Sequence, residues 1–272
     1  MRILLALGLV AIAAQDASAC GEVVTIPTHG GSTTRYAFLS PKTPPDAALV
    51  LLVGGGGWVN LDERGCPRAL KGNSLVRMLP LFQAAGFATA LVDADSDHAG
   101  GDALADFRAD KAHAEDLGRV VADVRNRAKA AVWVAGTSRG TISAVNAATR
   151  LSGPAAPDGV VITSILSVGE PRARKPLAQQ SVFDLPLGEI RAPILLVGHA
   201  GDTCGRSPAS RMEDVAARVA SARKQVVTVT GGPGMAKADG ADACEARTPH
   251  GFLDQEREVV DGIARFVRGG RF

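Results

Sequence analysis

The sequence has no surplus of charge of one sign: 30 Lys and Arg stand against 28 Asp and Glu, a formal net charge of +2. That removes the strong field a nucleic-acid or anionic-membrane partner would call for. No Lys/Arg-rich stripe with aromatics is present, and no internal repeat. Beyond the first residues no stretch is long and apolar enough to span a bilayer. Cysteine is scarce, with only Cys20, Cys66, Cys204 and Cys244. An even number of four suits disulfides in an oxidising compartment. What is there is an ordinary globular composition: 272 residues, 46% hydrophobic and 21% charged. Such a chain can bury a large core, and single α/β domains often run to this length.

The chain opens MRILLALGLVAIAAQDASAC. Arg2 is a short positive start, residues 3–14 are apolar but too short for a membrane span, and Ala17-Ser18-Ala19 has the small side chains of a cleavage site. The pattern predicts a secretory signal over residues 1–19, removed after Ala19, and hence an exported, periplasmic or secreted protein. Cleavage there leaves Cys20 first, which raises a lipid anchor at Cys20 as an alternative. Two features oppose it. Ala17 stands where such sites usually carry a larger aliphatic residue, and lipidating Cys20 would leave one of the other three cysteines without a mate.

Strand-like and helix-like segments alternate from there on, which predicts a mostly parallel central sheet flanked by helices in one domain over residues 20–272. Residues 23–27 and 35–39 read as short opening strands. Residues 47–53 (AALVLLV) form a continuous apolar run, as a strand buried on both faces should. Further strands are expected over 88–92, 131–135, 160–166, 194–197 and 225–230. Helical spacing covers 74–85, 107–129, 140–151, 208–222 and 255–267, with Ala112, Leu117, Val120, Val121 and Val124 recurring at three or four residues. Residues 231–242, rich in Gly, Asp and Ala, read as a long surface loop.

Between the fifth expected strand and the helix after it stands Gly136-Thr137-Ser138-Arg139-Gly140. A strand that turns this sharply into a helix brings two backbones together, and glycines on either side of the serine permit it. Ser138 then sits at the tip with its hydroxyl above the sheet edge, the arrangement of a nucleophile elbow, G-x-S-x-G. A serine hydroxyl is a poor nucleophile unless a base takes its proton and an acid orients that base. In this architecture the order is Ser, then Asp or Glu, then His. Asp202 follows the strand over 194–197, and His250 precedes the last helix, so all three stand at strand ends on one rim. Glu170 is the alternative acid. His29, His98, His113 and His199 are the other histidines, and only His250 has the right chain order. Asp95, Asp97 and His98 invite comparison with a metal site, but no second cluster with ligand spacing accompanies them, and a solvated loop is the expectation.

The negative charge that develops on an attacked carbonyl needs two backbone amides. One is that of Arg139, after the nucleophile. The other is expected from Gly54-Gly55-Gly56-Gly57, which follows a buried strand. Matching positions favours Gly56, with Gly57 second. Gly57 and Trp58 are candidates for the substrate pocket, Trp58 equally for the core.

These motifs, GGGGW, GTSRG, GDTC and PHGF, resemble those of the α/β-hydrolase superfamily, specifically bacterial serine hydrolases of the esterase and dienelactone-hydrolase-like type. The likeness covers nearly the whole chain after residue 19. It implies an α/β-hydrolase fold and cleavage of small carboxylic esters by Ser138, His250 and Asp202 through an acyl-enzyme, with no metal or organic cofactor. A thioesterase, peptidase or acyltransferase would use the same triad, and a binding protein could keep the fold without catalysis. Three departures stand out. Gly54 takes the place of a common histidine, the nucleophile is not the cysteine of dienelactone hydrolases proper, and the chain between Leu166 and Ile194 is too short for a large helical cap. Within this resemblance a Cys204–Cys244 bridge would clamp the acid loop to the base loop, and Cys20–Cys66 would pin the N-terminal segment near the glycine loop. Four cysteines allow three pairings.

Overall fold

The computed structural model describes residues 20–170, 179–232 and 240–272. The signal expected over residues 1–19 and the middle of the loop expected over 231–242 lie outside the described residues. Eight strands form one sheet: β1 (Glu22–Pro27), β2 (Thr33–Leu39), β3 (Ala48–Leu52), β4 (Ala88–Val92), β5 (Val132–Thr137), β6 (Gly159–Thr163), β7 (Ile194–His199) and β8 (Lys224–Val229). Their order is β1-β2-β4-β3-β5-β6-β7-β8. β1 and β2 pair antiparallel, as do β2 and β4, and every later pairing is parallel.

β3 to β7 are buried throughout and mostly apolar because helices cover both faces. Ala48, Val50 and Leu52 of β3 pack into one layer with Leu117, Val120 and Val124 of α2 (Lys111–Ala128) and Val145 of α3 (Gly140–Arg150). Leu49 and Leu51 point the other way, toward Leu75 and Phe82 of α1 (Ser74–Ala84) and Val260 and Ile263 of α5 (Glu256–Val267). The short α4 (Met212–Arg218) joins the first layer through Met212 and Val215. No helix among the described residues is long and apolar enough to cross a membrane.

Some boundaries differ from the sequence reading. The helix expected from 107 starts at Lys111, because the Asp110 carboxylate accepts the Ala112 amide at 2.7 Å and caps it there. Phe107–Ala109 is a separate single turn. The strand expected over 160–166 stops at Thr163, where Ser164 turns to a φ of +47°. The helix expected over 208–222 shrinks to Met212–Arg218. Beyond it the chain is extended, and Lys224 Nζ takes the carbonyls of Ala216 and Val219 at 2.8 and 3.1 Å.

Both disulfides form as the resemblance implied, Cys20–Cys66 and Cys204–Cys244. The sulfur that a lipid anchor at Cys20 would need is thus already bonded, and the Cys20 amide donates to Arg64 O at 2.9 Å.

Arg108 and His113 are buried between the sheet and α3. Arg108 Nη1 donates to Ser143 Oγ at 2.8 Å, so that hydroxyl gives its own proton to His113 Nε2, 2.9 Å away. Burial, and then the positive charge of Arg108, push the His113 pKa down to about 3. A histidine held neutral in the fold and titrating near 6.5 when unfolded stabilises fully above that value and progressively less as pH falls toward 3. The expected slope is about 1.4 kcal/mol per pH unit. Thermal unfolding followed from pH 7 to pH 4 should show His113→Gln losing less stability than the parent chain. Parallel curves would mean that His113 takes no part in acid sensitivity.

Candidate active site

The elbow is built by close backbone contact. A Cβ on Gly136 would lie 2.4 Å from Gly140 O, and one on Gly140 would lie 2.0 Å from Leu52 O, so no other residue fits either position without moving the backbone. Ser138 between them has a φ of +51°, which holds its side chain up out of the turn. Its amide donates to Thr163 O at 3.0 Å, and its carbonyl accepts from Thr141 N at 3.0 Å and Thr141 Oγ1 at 2.6 Å. β6 and the first turn of α3 therefore fix it from two sides.

β7 runs into the acid loop. The Asp202 amide donates to His199 O at 3.0 Å, and Asp202 Oδ1 accepts the Cys204 amide at 2.9 Å. Oδ2 lies 2.8 Å from His250 Nδ1. A carboxylate can only accept here, so Nδ1 carries the proton and Nε2 is left with its lone pair. Nε2 is buried and makes no hydrogen bond to a described residue. His250 sits in a single turn, Pro249–Gly251, whose start is capped by Thr248 Oγ1 on the His250 amide at 3.1 Å. Ser164 Oγ donates to its carbonyl at 2.6 Å.

Sequence reasoning missed one residue that secures this turn. Arg77 of α1 donates from Nη2 to Gly251 O at 2.6 Å, from Nη1 to Ala246 O at 3.0 Å, and from Nε to Glu256 at 2.7 Å. It lies more than 160 positions from its partners, and no local pattern marks it.

Ser138, Arg139 and His250 line one cavity of about 980 Å³, together with Gly54, Gly55 and the apolar Leu70. Asp202 stands behind His250, off the wall. Cys204 and Cys244 are on the wall, so the disulfide joins the acid loop to the segment ahead of His250 at the cavity itself. The Arg139 side chain is half-buried and makes no hydrogen bond or ion pair to a described residue, while its carbonyl accepts the Ile142 amide at 3.1 Å. Burial, and then the charge of Arg206, lower its pKa.

The other candidates lie elsewhere. Glu170 is exposed at the rim of the cavity, and the His250 ring is bonded to Asp202 instead. His199 is satisfied in the core, with Nδ1 accepting from Gly201 N at 2.9 Å and Nε2 on Gln255 Oε1 at 2.7 Å. His29, His98 and His113 are on the side of α2. The glycine loop divides in two. Gly54 and Gly55 stand beside Ser138, whereas Gly56 packs on residues 101–103 and Gly57 on Leu104 and Arg108. Trp58 is half-buried and off the cavity wall too. The tight turn from Gly54 O to Gly57 N, 3.2 Å, swings the last two glycines away. A Cβ at 54 would lie 3.0 Å from Ser138 Cβ and from Thr137 O, so a side chain there would press on the elbow.

Neither a family model nor a curated protein sequence matches this chain. Solved structures do. An esterase from Pyrococcus furiosus superposes with a TM-score of 0.65 at 14% identity, over 92% of this chain and 91% of that one. The chain has an α/β-hydrolase fold. A thermostable carboxyl esterase from Bacillus coagulans gives 0.59 at 13% identity over 91% and 98% of the two chains. A proline iminopeptidase from Mycobacterium smegmatis gives 0.58 at 14% over 90% and 97%. At such identities it is the fold that is shared. In this fold Ser138 stands at the strand-to-helix turn after β5, and β7 and β8 precede the loops that carry Asp202 and His250.

Proposed function

We propose that the chain is an exported serine hydrolase that cleaves carboxylic esters. One observation carries this reading: His250 is bonded to the buried Asp202 carboxylate through Nδ1 and leaves a buried Nε2, without a partner among the described residues, on a cavity shared with the elbow serine. This reading has Ser138 Oγ meet that nitrogen when substrate binds, since catalytic hydrogen bonds are often long in the free enzyme and tighten with substrate bound. His250 Nε2 then accepts the Ser138 proton as Oγ bonds to the ester carbonyl carbon. The amide of Arg139 and one from the Gly54–Gly55–Gly56 segment hold the oxyanion. Collapse of the tetrahedral species expels the alcohol, which takes the proton from His250. Water, giving its proton to the same nitrogen, then releases the acid and restores Ser138. Asp202 keeps the imidazole in the required tautomer and stabilises its charged form. The two disulfides support an oxidising compartment.

The test uses the intact chain and a fluorophosphonate probe. One adduct per molecule is expected, mapping to the peptide with Ser138, and blocking it should abolish hydrolysis of p-nitrophenyl esters. Labelling elsewhere, or none, would remove the proposal. Hydrolysis of the matching thioester or anilide at a higher kcat/KM than the ester would redirect it to a thioesterase or peptidase.

A further inference from the structure

The loop after β4 carries Asp95, Ser96, Asp97 and His98, a group whose spacing alone lacks a second set of ligands. The fold supplies one. His29, on the turn between β1 and β2, is brought against this loop. One side-chain atom each of His29, Asp95 and His98 lie within 4.8 Å of one another. Asp95 is buried and bonds His98 Nδ1 at 2.8 and 3.0 Å through its two oxygens.

His29 is oriented from behind. Its Nδ1 lies 2.5 Å from Oδ2 of buried Asp116 on α2, and its amide donates to Asp116 Oδ1 at 2.9 Å. The carboxylate takes the Nδ1 proton and leaves Nε2 facing the loop, with Asp97 Oδ2 3.8 Å away. A carboxylate on the remote nitrogen of a histidine is the usual support of a metal-ligating ring. Phe107 closes one side, 4.2 Å from the His98 ring and 4.9 Å from the His29 ring between centroids.

We propose that His29, Asp95 and His98 bind a divalent transition-metal ion, with Asp97 as the fourth ligand. Two imidazoles and two carboxylates suit tetrahedral zinc, with bond lengths of about 2.0–2.2 Å. Nitrogen donors disfavour calcium and magnesium. The ion would replace the proton shared by Asp95 and His98 and fasten the β1–β2 turn to the β4 loop. This site is apart from the catalytic cavity, whose lining includes none of the four residues. The other group of nearby ligand types, Asp202, Cys204 and His250, is the acid–base pair with a cysteine already in a disulfide.

The full chain, freed of metal by a chelator and carrying the fluorophosphonate adduct, would be titrated with zinc chloride by calorimetry. One equivalent is expected, with a rise in thermal midpoint of about 5 °C at a hundredfold excess over Kd. His29→Gln and His98→Gln should each weaken binding at least tenfold, and Asp116→Asn by about 10- to 100-fold with the stoichiometry kept. Cobalt(II) gives a reading that needs no variant: visible bands of a tetrahedral nitrogen-ligated ion are expected on the parent protein. No saturable binding, unchanged affinity in both histidine variants, a cobalt spectrum like that of the aqueous ion, or tighter binding of calcium than zinc would each overturn the site.

Discussion

Ser138→Ala should lower kcat/KM toward an activated ester by about 10⁴- to 10⁶-fold while leaving thermal stability close to that of the parent. The first half rests on chemistry: without Oγ no acyl-enzyme forms. Of the other hydroxyls on the cavity wall, Ser74 and Thr137 bond to each other at 3.2 Å, and Thr203 directly follows Asp202. The second half rests on the elbow. Ser138 is held through its backbone, by Thr163 O and Thr141, and the φ of +51° costs alanine as much as serine, about 1–2 kcal/mol. Glycine would relax that strain and confuse the comparison, so alanine is the informative change. Steady-state kinetics beside a melting curve decide the matter. A variant that keeps a tenth of parental turnover would take Ser138 out of the chemistry.

Asp202→Asn should cost about 10³- to 10⁴-fold in kcat with a much smaller change in KM. The carboxylate is almost fully buried, at 1% side-chain exposure, and Oδ1 also holds the Cys204 amide, so asparagine can sit in the same place. Its amide group would donate where Oδ2 accepted. His250 would then turn its lone pair to Nδ1 and present a proton from Nε2 to Ser138, the tautomer that cannot act as base. Glu170 offers no rescue from the exposed rim. Since hydroxide can take the Ser138 proton in place of the wrongly oriented imidazole, part of the loss should return as the assay pH is raised. Unchanged kcat in a correctly folded variant would mean that His250 draws its orientation from elsewhere.

How much of this could be read without coordinates follows from where each signal lies. Strands β3 to β7 were legible because burial on both faces leaves continuous apolar runs such as Ala48–Leu52. The meeting of Asp202 and His250 was legible because chain order and strand ends constrain both. The course of the glycine loop was not, since four identical residues without side chains carry no pattern; that Gly54 and Gly55 line the cavity while Gly56 packs on residues 101–103 is visible only in three dimensions. Phe107 and Ala109 continued a helical spacing that the Asp110 cap interrupts. Arg77, and the approach of His29 to Asp95 and His98, depend on contacts between distant segments, which local periodicity does not encode.

The Cys204–Cys244 link has a consequence for when such a protein first becomes competent. Asp202 and His250 come from separate loops, and a covalent tie between those loops forms only where thiols are oxidised. If the proposed function holds, a chain still in a reducing cytoplasm would have its sheet but loosely held Asp202 and His250 loops, and so would be poor at attacking the esters of its own cell. On the same reading, crossing into an oxidising space would fasten the two loops only there, so that delivery and activation become one event.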